Sequence, residues 1–129
     1  MRSKVLLYHL DSDTETGRAL RGVLLAQKLF TVTVGEAQAG ERVARLVSTN
    51  AAVHDAPAPE PPPQESFMLL CGLGERQLDR LLAAMRRAGV SVPYKAVLTE
   101  HNRDWTLCDL MQEVVREHEL MKQQMQRQP

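Results

Sequence analysis

The sequence predicts an α/β protein, a small, open, four-stranded and mainly parallel sheet with helices on its faces. Three observations carry that expectation. Short apolar runs stand at "KVLLYHL", "LFTVTVG", "SFMLLCGL" and "VSVPYKAVLT", as strands of a covered sheet require. Segments with apolar residues at helical spacing lie between and after them. The order strand, helix, strand, helix then occurs twice, which points to two β-α-β-α halves with right-handed crossovers and the first and third strands central. A ferredoxin-like α+β arrangement is the alternative, because four strands with helices at similar intervals can also be wired that way.

The first half occupies residues 1–50. After "KVLLYHL", Ser12 and Glu15 have the capping-box spacing and place a helix start near Asp13. Leu20, Val23, Leu24 and Gln27 continue it, "LFTVTVG" is a β-branched strand ending at glycine, and "GERVARLVS" carries Val43, Leu46 and Val47 on one side of a short helix. Residues 51–65 form a linker or loop. Pro57, Pro59, Pro61, Pro62 and Pro63 remove backbone donors there and favour extended chain over helix or central strand.

The second half occupies residues 66–121. "FMLLCGL" is its first strand, and Leu78, Leu81, Leu82 and Met85 mark the buried side of a helix that Gly89 can close in the left-handed C-cap position. "VSVPYKAVLT" is a strand with Pro93 near its start, and "WTLCDLMQEVVREHELMKQQMQ" is a long helix entering a polar tail, residues 122–129. "KVLLYHL" laid over "FMLLCGL" matches the two strands and suggests an internal repeat.

A chain of 129 residues fits a single domain able to bury its own core. Sixteen basic and sixteen acidic residues cancel, so the basic footprint of a nucleic-acid binder is missing. His9 and Asp11 interrupt the N-terminal apolar run too early for a signal peptide, and no stretch reaches the length of a membrane span. Cytoplasmic residence is the expectation. Cys71 and Cys108 form neither a C-x-x-C pair nor a zinc-ligand spacing, and no glycine fingerprint is complete, so no metal and no cofactor are expected.

The strand "FMLLCGL", the helix "QLDRLLAAMRRAGV" and "KAVLTEHNRDWTL" leading into "LMQEVVREHE" resemble an uncharacterised bacterial family, the domain of unknown function DUF3783, over roughly Phe67 to Glu119. The strand lysine, Thr99, Asn102 and Trp105 stand at the spacing that carries the resemblance. It implies domain identity and brings no reaction, ligand or partner to any residue.

Candidate residues concentrate in "YKAVLTEHNRDWTL". Lys95, Thr99, Glu100, Asn102 and Trp105 form a polar candidate site for a ligand or partner. Each has a structural explanation beside the functional one. Thr106 and Asp109 make a helix cap with Trp105 as a hydrophobic staple, Asn102 and Asp104 suit a turn, and Lys95 guards an edge strand. His9, Asp11, Cys71, Glu100 and His101 fall at carboxyl ends of strands, where a parallel sheet gathers its ligands. Cys71 with His9 or His101 is therefore a candidate nucleophile and base.

Leu107, Met111, Val114, His118, Met121 and Met125 step by four and three along the last helix, the spacing of a coiled-coil seam. The expected function is a non-catalytic interaction or regulatory domain. It takes a protein partner or self-associates as a homodimer through the C-terminal helix. The alternatives are a small-ligand-binding domain using the carboxyl edge of the sheet and a thiol-dependent enzyme centred on Cys71.

Overall fold

The computed structural model describes residues 3–48 and 56–127. Strand β1, Lys4–Tyr8, is the apolar run expected, with Val5, Leu6, Leu7 and Tyr8 all fully buried. Helix α1, Glu15–Ala26, follows. Its cap is Thr14 rather than Ser12. The Thr14 hydroxyl accepts the Gly17 amide at 3.0 Å and donates to the Asp11 carbonyl at 2.8 Å, so one side chain closes both the turn and the helix start.

Strand β2, Phe30–Val34, lies parallel to β1 with Phe30 opposite Lys4. A 3₁₀ turn at Glu36–Gln38 leads to α2, Val43–Ser48, which buries Val43, Leu46 and Val47 as its spacing predicts. In the second half β3, Phe67–Cys71, is buried along its whole length. Helix α3, Glu75–Arg87, buries Leu81 and Met85, and Gly89 beyond it takes φ +71°, the left-handed conformation expected there. Strand β4 is only Lys95–Val97, and α4 runs from Leu107 to Arg127, taking most of the expected polar tail into helix.

The strand order is β2-β1-β3-β4. Both crossovers are parallel, but β1 and β3 pair antiparallel, with Leu6 opposite Leu69. The sheet is thus mixed, not mainly parallel. A βα crossover forces its two strands parallel, whereas the long connection between the halves imposes no direction. Continuous apolar runs report burial on two faces and are silent on orientation. The consequence for function is direct: the carboxyl ends of β1 and β2 lie at one edge of the sheet and those of β3 and β4 at the opposite edge.

Helices cover both faces. Leu6, Tyr8, Phe67, Leu69 and Cys71 meet α2 and α4 on one side. Val5, Leu7, Met68 and Leu70 meet α1 and α3 on the other. No helix among the described residues is long and apolar enough to cross a membrane.

The proline-rich segment is a loop from residue 56 onward, and it is fastened to the domain. Residues 51–55 of the expected loop, and the tail's residues 128–129, lie outside the described residues. The Tyr8 hydroxyl donates to the Pro63 carbonyl at 2.7 Å, and Ser66 Oγ donates to the His9 carbonyl at 2.9 Å. The Pro57 carbonyl passes so close to Gly40 that a Cβ there would lie 2.1 Å from it. Glycine at 40 is what lets the loop lie flat.

Candidate functional site

The segment between β4 and α4 is built by its own polar side chains. Asn102 Oδ1 accepts the Thr99 amide at 2.9 Å, and Thr99 Oγ1 accepts the Asn102 amide at 3.1 Å. Asn102 Nδ2 then donates to the Val97 carbonyl at 3.0 Å. The two side chains are spent on fixing the turn, as such residues do when they mimic backbone. Thr106 Oγ1 accepts the Asp109 amide at 3.1 Å and caps α4. Thr106→Ala is expected to cost about 1 kcal/mol of stability, read by denaturant unfolding.

Backbone bonds between the halves then lock this turn in place. The first amides of α2, Val43 and Ala44, donate to the carbonyls of Trp105 and Arg103 at 2.9 and 2.8 Å. The first amides of α4, Leu107 and Cys108, donate to those of Glu41 and Ala39 at 2.9 and 2.8 Å. An isolated antiparallel bridge joins Arg42 to Thr106 between them. At each of the two helix starts, two of the four amides that a helix must place elsewhere are thus satisfied by the loop of the other half, without a ligand.

Around that lock lies an open cleft of about 720 Å³, lined by Arg42, Asp104, Trp105, Asp109, Glu113 and Arg116 among others. Arg42 donates to the Asp104 carbonyl, and Arg116 pairs with Glu113 on the same helix. Trp105 is half-buried against the core with its ring edge-on to His101, 5.4 Å between centroids. The Arg116 pairing holds the Glu113 carboxyl below its usual range. Arg42 belongs to the first half, and no local sequence signal ties it to Trp105.

Lys95 stands apart from this group. It is exposed on the short edge strand, and its Nζ donates to the Val92 carbonyl at 3.0 Å, beside Met85 and Val90 of the α3 side. The Thr99, Asn102 and Trp105 cluster is linked instead to the α4 side. Lys95→Ala is expected to change stability by less than about 0.5 kcal/mol, the range of exposed substitutions, while lowering solubility as an edge guard is removed. A turbidity time course beside a thermal melt checks both parts. Glu100 is exposed in the turn.

The strand-end residues do not converge. His9 sits past β1 at one edge, with φ 55°, its ring stacked on Tyr8 at 4.3 Å. Its Nε2 meets Glu36 Oε1 at 2.9 Å and its Nδ1 meets the Gln64 carbonyl at 3.2 Å. Burial, with the Glu36 charge adding to it, pushes the neighbouring Tyr8 phenol up to about 12. Asp11 is exposed beyond His9 on the way to α1. Cys71 lies opposite Lys4 at the other end of the antiparallel pair, which puts it roughly 15 Å from His9 along the strands.

Cys71 is fully buried, its thiol turned to the Leu69 carbonyl at 3.7 Å. Burial pushes that thiol up to about 12, against the opposing pull of Lys4, away from the acidic thiolate a nucleophile needs. His101 is exposed and occupied with Trp105. The proposed pairing of Cys71 with either histidine thus meets a sealed thiol. Alkylation of Cys71 at pH 8 is expected only as fast as the fold opens. Peptide mapping after iodoacetamide, with and without denaturant, measures it, and rapid native labelling would contradict the burial.

Neither a curated protein nor a solved structure matches the chain. The part that holds the turn, the cap and most of the cleft is also the part with a known relationship. From Ser66, just before β3, to Met121 on α4, the C-terminal half of the chain matches the family DUF3783, a domain of unknown function, over residues 66–121.

Proposed function

We propose that the chain is a non-catalytic interaction or regulatory domain in which two equivalent halves share one sheet and the end of α4 takes a protein partner. The equivalence of the halves is supported by the pairing itself. Exchanging them converts the Leu6 to Leu69 contact into itself and turns the two α2 amide bonds into the two α4 ones. On this reading the first half is a diverged second copy of the DUF3783 unit.

The observation that carries the partner reading is the length of α4. Leu107, Leu110 and Met111 are buried on the sheet, and His118 makes an edge contact to Tyr94 at 5.1 Å. Beyond it the stripe of the coiled-coil seam continues with its large side chains mostly exposed. Met121 is 63% exposed and Met125 74%, with Leu120 beside them. Methionine is unbranched and adapts to an irregular apolar surface, and Glu117, Lys122 and Gln124 flank the stripe as rim residues do. The partner chemistry that fits is an amphipathic helix of another protein, paired along Met121 and Met125.

A photoreactive side chain at position 121 or 125 is expected to cross-link one partner that a probe at Arg76 on α3 does not reach. The partner, purified, should lose about 100-fold in affinity for M121E/M125E, with the melting temperature of the domain unchanged. Equal affinity for wild type and the double variant would remove α4 from the interface.

A further inference from the structure

The end of the proline-rich loop is held from one short stretch of chain, Tyr8 and His9. The Tyr8 hydroxyl donates to the Pro63 carbonyl, and the His9 carbonyl accepts Ser66 Oγ. Between them His9 Nδ1 lies 3.2 Å from the Gln64 carbonyl, while Nε2 on the far side of the ring lies 2.9 Å from Glu36 Oε1. Of these bonds to the loop, the one to Gln64 alone depends on a group that changes charge near neutrality.

The ring is fixed from several sides. His9 takes φ 55°, in the left-handed region that histidine enters more readily than most side chains but still at a cost. Such a backbone persists where its surroundings over-determine it. The ring lies flat on Tyr8, 15° between planes, and the side chain is 24% exposed, so stacking and both ring nitrogens bear on a single conformation.

Both nitrogens face acceptors. The Gln64 carbonyl has no proton to give, and a carboxylate such as Glu36 has none while ionised. A neutral imidazole has one N–H and serves one of the two; an imidazolium has two and serves both. We propose that His9 is a charge-operated latch, which as the imidazolium ties Gln64 of the loop to Glu36 of the 3₁₀ turn and on losing its proton releases Gln64. The remaining proton stays on Nε2, because the bond to a carboxylate is the stronger. Nδ1 then presents a lone pair to the carbonyl oxygen, and an attraction becomes a repulsion.

The hold is therefore present on the acidic side of the histidine range and lost as pH rises through it. The groups around the ring support that direction. The Tyr8 phenol beneath it, pushed up to about 12 by burial, stays neutral, and so does the Cys108 thiol on α4, which burial also pushes up. Glu36 and the loop's Glu65 are the acidic side chains whose charge reaches Tyr8, and negative charge beside the ring favours its charged form. Asp11, two residues on, is exposed. What the latch controls is how often the end of the loop leaves the domain.

The test uses the full chain. Cleavage after Glu65 by a glutamate-specific protease, divided by its rate on the unfolded chain at the same pH, reads the open fraction of the loop. Between about pH 5 and about pH 8 this ratio is expected to rise about 10-fold, as befits the loss of a charge-assisted bond. Its midpoint should coincide with the titration of the His9 Cε1–H resonance. His9→Asn keeps a side chain that tolerates positive φ and should be cleaved rapidly at every pH, with no step. Glu36→Gln should do the opposite. Its amide N–H donates to Nε2, a neutral ring then keeps its proton on Nδ1 for Gln64, and the loop stays closed across the whole range.

A flat profile in the wild type would overturn the inference. So would a step that survives in His9→Asn, or a Glu36→Gln chain that opens as the wild type does. Cleavage after Glu75, at the start of α3, reads opening of the domain as a whole, and a step there as large as the one at Glu65 would also overturn the latch.

Discussion

Cut free of the first half, residues 66–129 are expected to lose the monomeric fold. In the whole chain β3 is covered along its length by β1, and Phe67, Met68, Leu69, Leu70 and Cys71 are all buried. Removing β1 leaves β3 and β4 as a two-stranded ribbon, below the three strands or more that independent stability requires. Uncovering even three of those side chains forfeits about 5 kcal/mol at the usual transfer value. The amides of Leu107 and Cys108 also lose the carbonyls of Glu41 and Ala39, at about 1 kcal/mol each. Such losses reach the whole stability of a typical domain, about 5–15 kcal/mol. Circular dichroism on heating should show no cooperative transition for the fragment as a monomer. Mixing it with residues 1–65 should restore one, because the missing strand and both carbonyls return together. A monomeric fragment that melts cooperatively would make the first half an appendage and end the reading of two equivalent halves.

How much of this was legible in the sequence depends on what kind of contact was involved. Elements that bury a periodic stripe were readable: Leu81 and Met85 of α3 and Val43, Leu46 and Val47 of α2 follow from apolar spacing alone, and the central place of β1 and β3 follows from the repeated order of strand and helix. The cap of α1 was misplaced by two residues because two frames overlap. Ser12 with Glu15 has the better motif, but Thr14 sits where Gly17 admits the Asp11 carbonyl, and that is a fact of packing. The antiparallel setting of β1 and β3 was not readable, since burial on two faces is the same for either direction. With it went the idea of a single ligand-gathering edge holding His9, Asp11, Cys71, Glu100 and His101. Thr99 and Asn102 were chosen for their polarity and turn out to be bonded to each other and to the turn. The lock between the two helix starts uses only backbone atoms, so it leaves no side-chain signature to read. Arg42 escaped notice in the cleft for a related reason, because the bridge to Thr106 that brings it there is also made by backbone.

Gly17→Ala is expected to be strongly destabilising, and Gly22→Ala on the same helix is expected to stabilise the fold. A Cβ on Gly17 would stand 2.0 Å from the Asp11 carbonyl oxygen and 2.7 Å from the Leu10 carbonyl carbon. Both are backbone atoms of the turn that ties β1 to α1, and that turn cannot give way cheaply. Asp11 O accepts from Thr14 N at 3.1 Å and from Thr14 Oγ1 at 2.8 Å, and Leu10 is buried in the core. Relief requires α1 to lift from the sheet, which loosens Leu20 and Leu24, both fully buried. The cost should be about 3 kcal/mol, at the upper end for overpacking, and the melting temperature should fall by roughly 10 °C. A Cβ at Gly22 would meet no neighbour within 4 Å among the described residues, and Gly22 lies inside the same helix on its exposed side. Alanine there gains helix propensity of about 0.5–1 kcal/mol and should raise the melting temperature by a few degrees. The two melts, read side by side, separate packing from propensity, because the chemical change is the same. A tolerated Gly17→Ala would mean that the turn from Leu10 to Thr14 is free to move, and the placement of His9 beside Glu36 would then lose its rigid support.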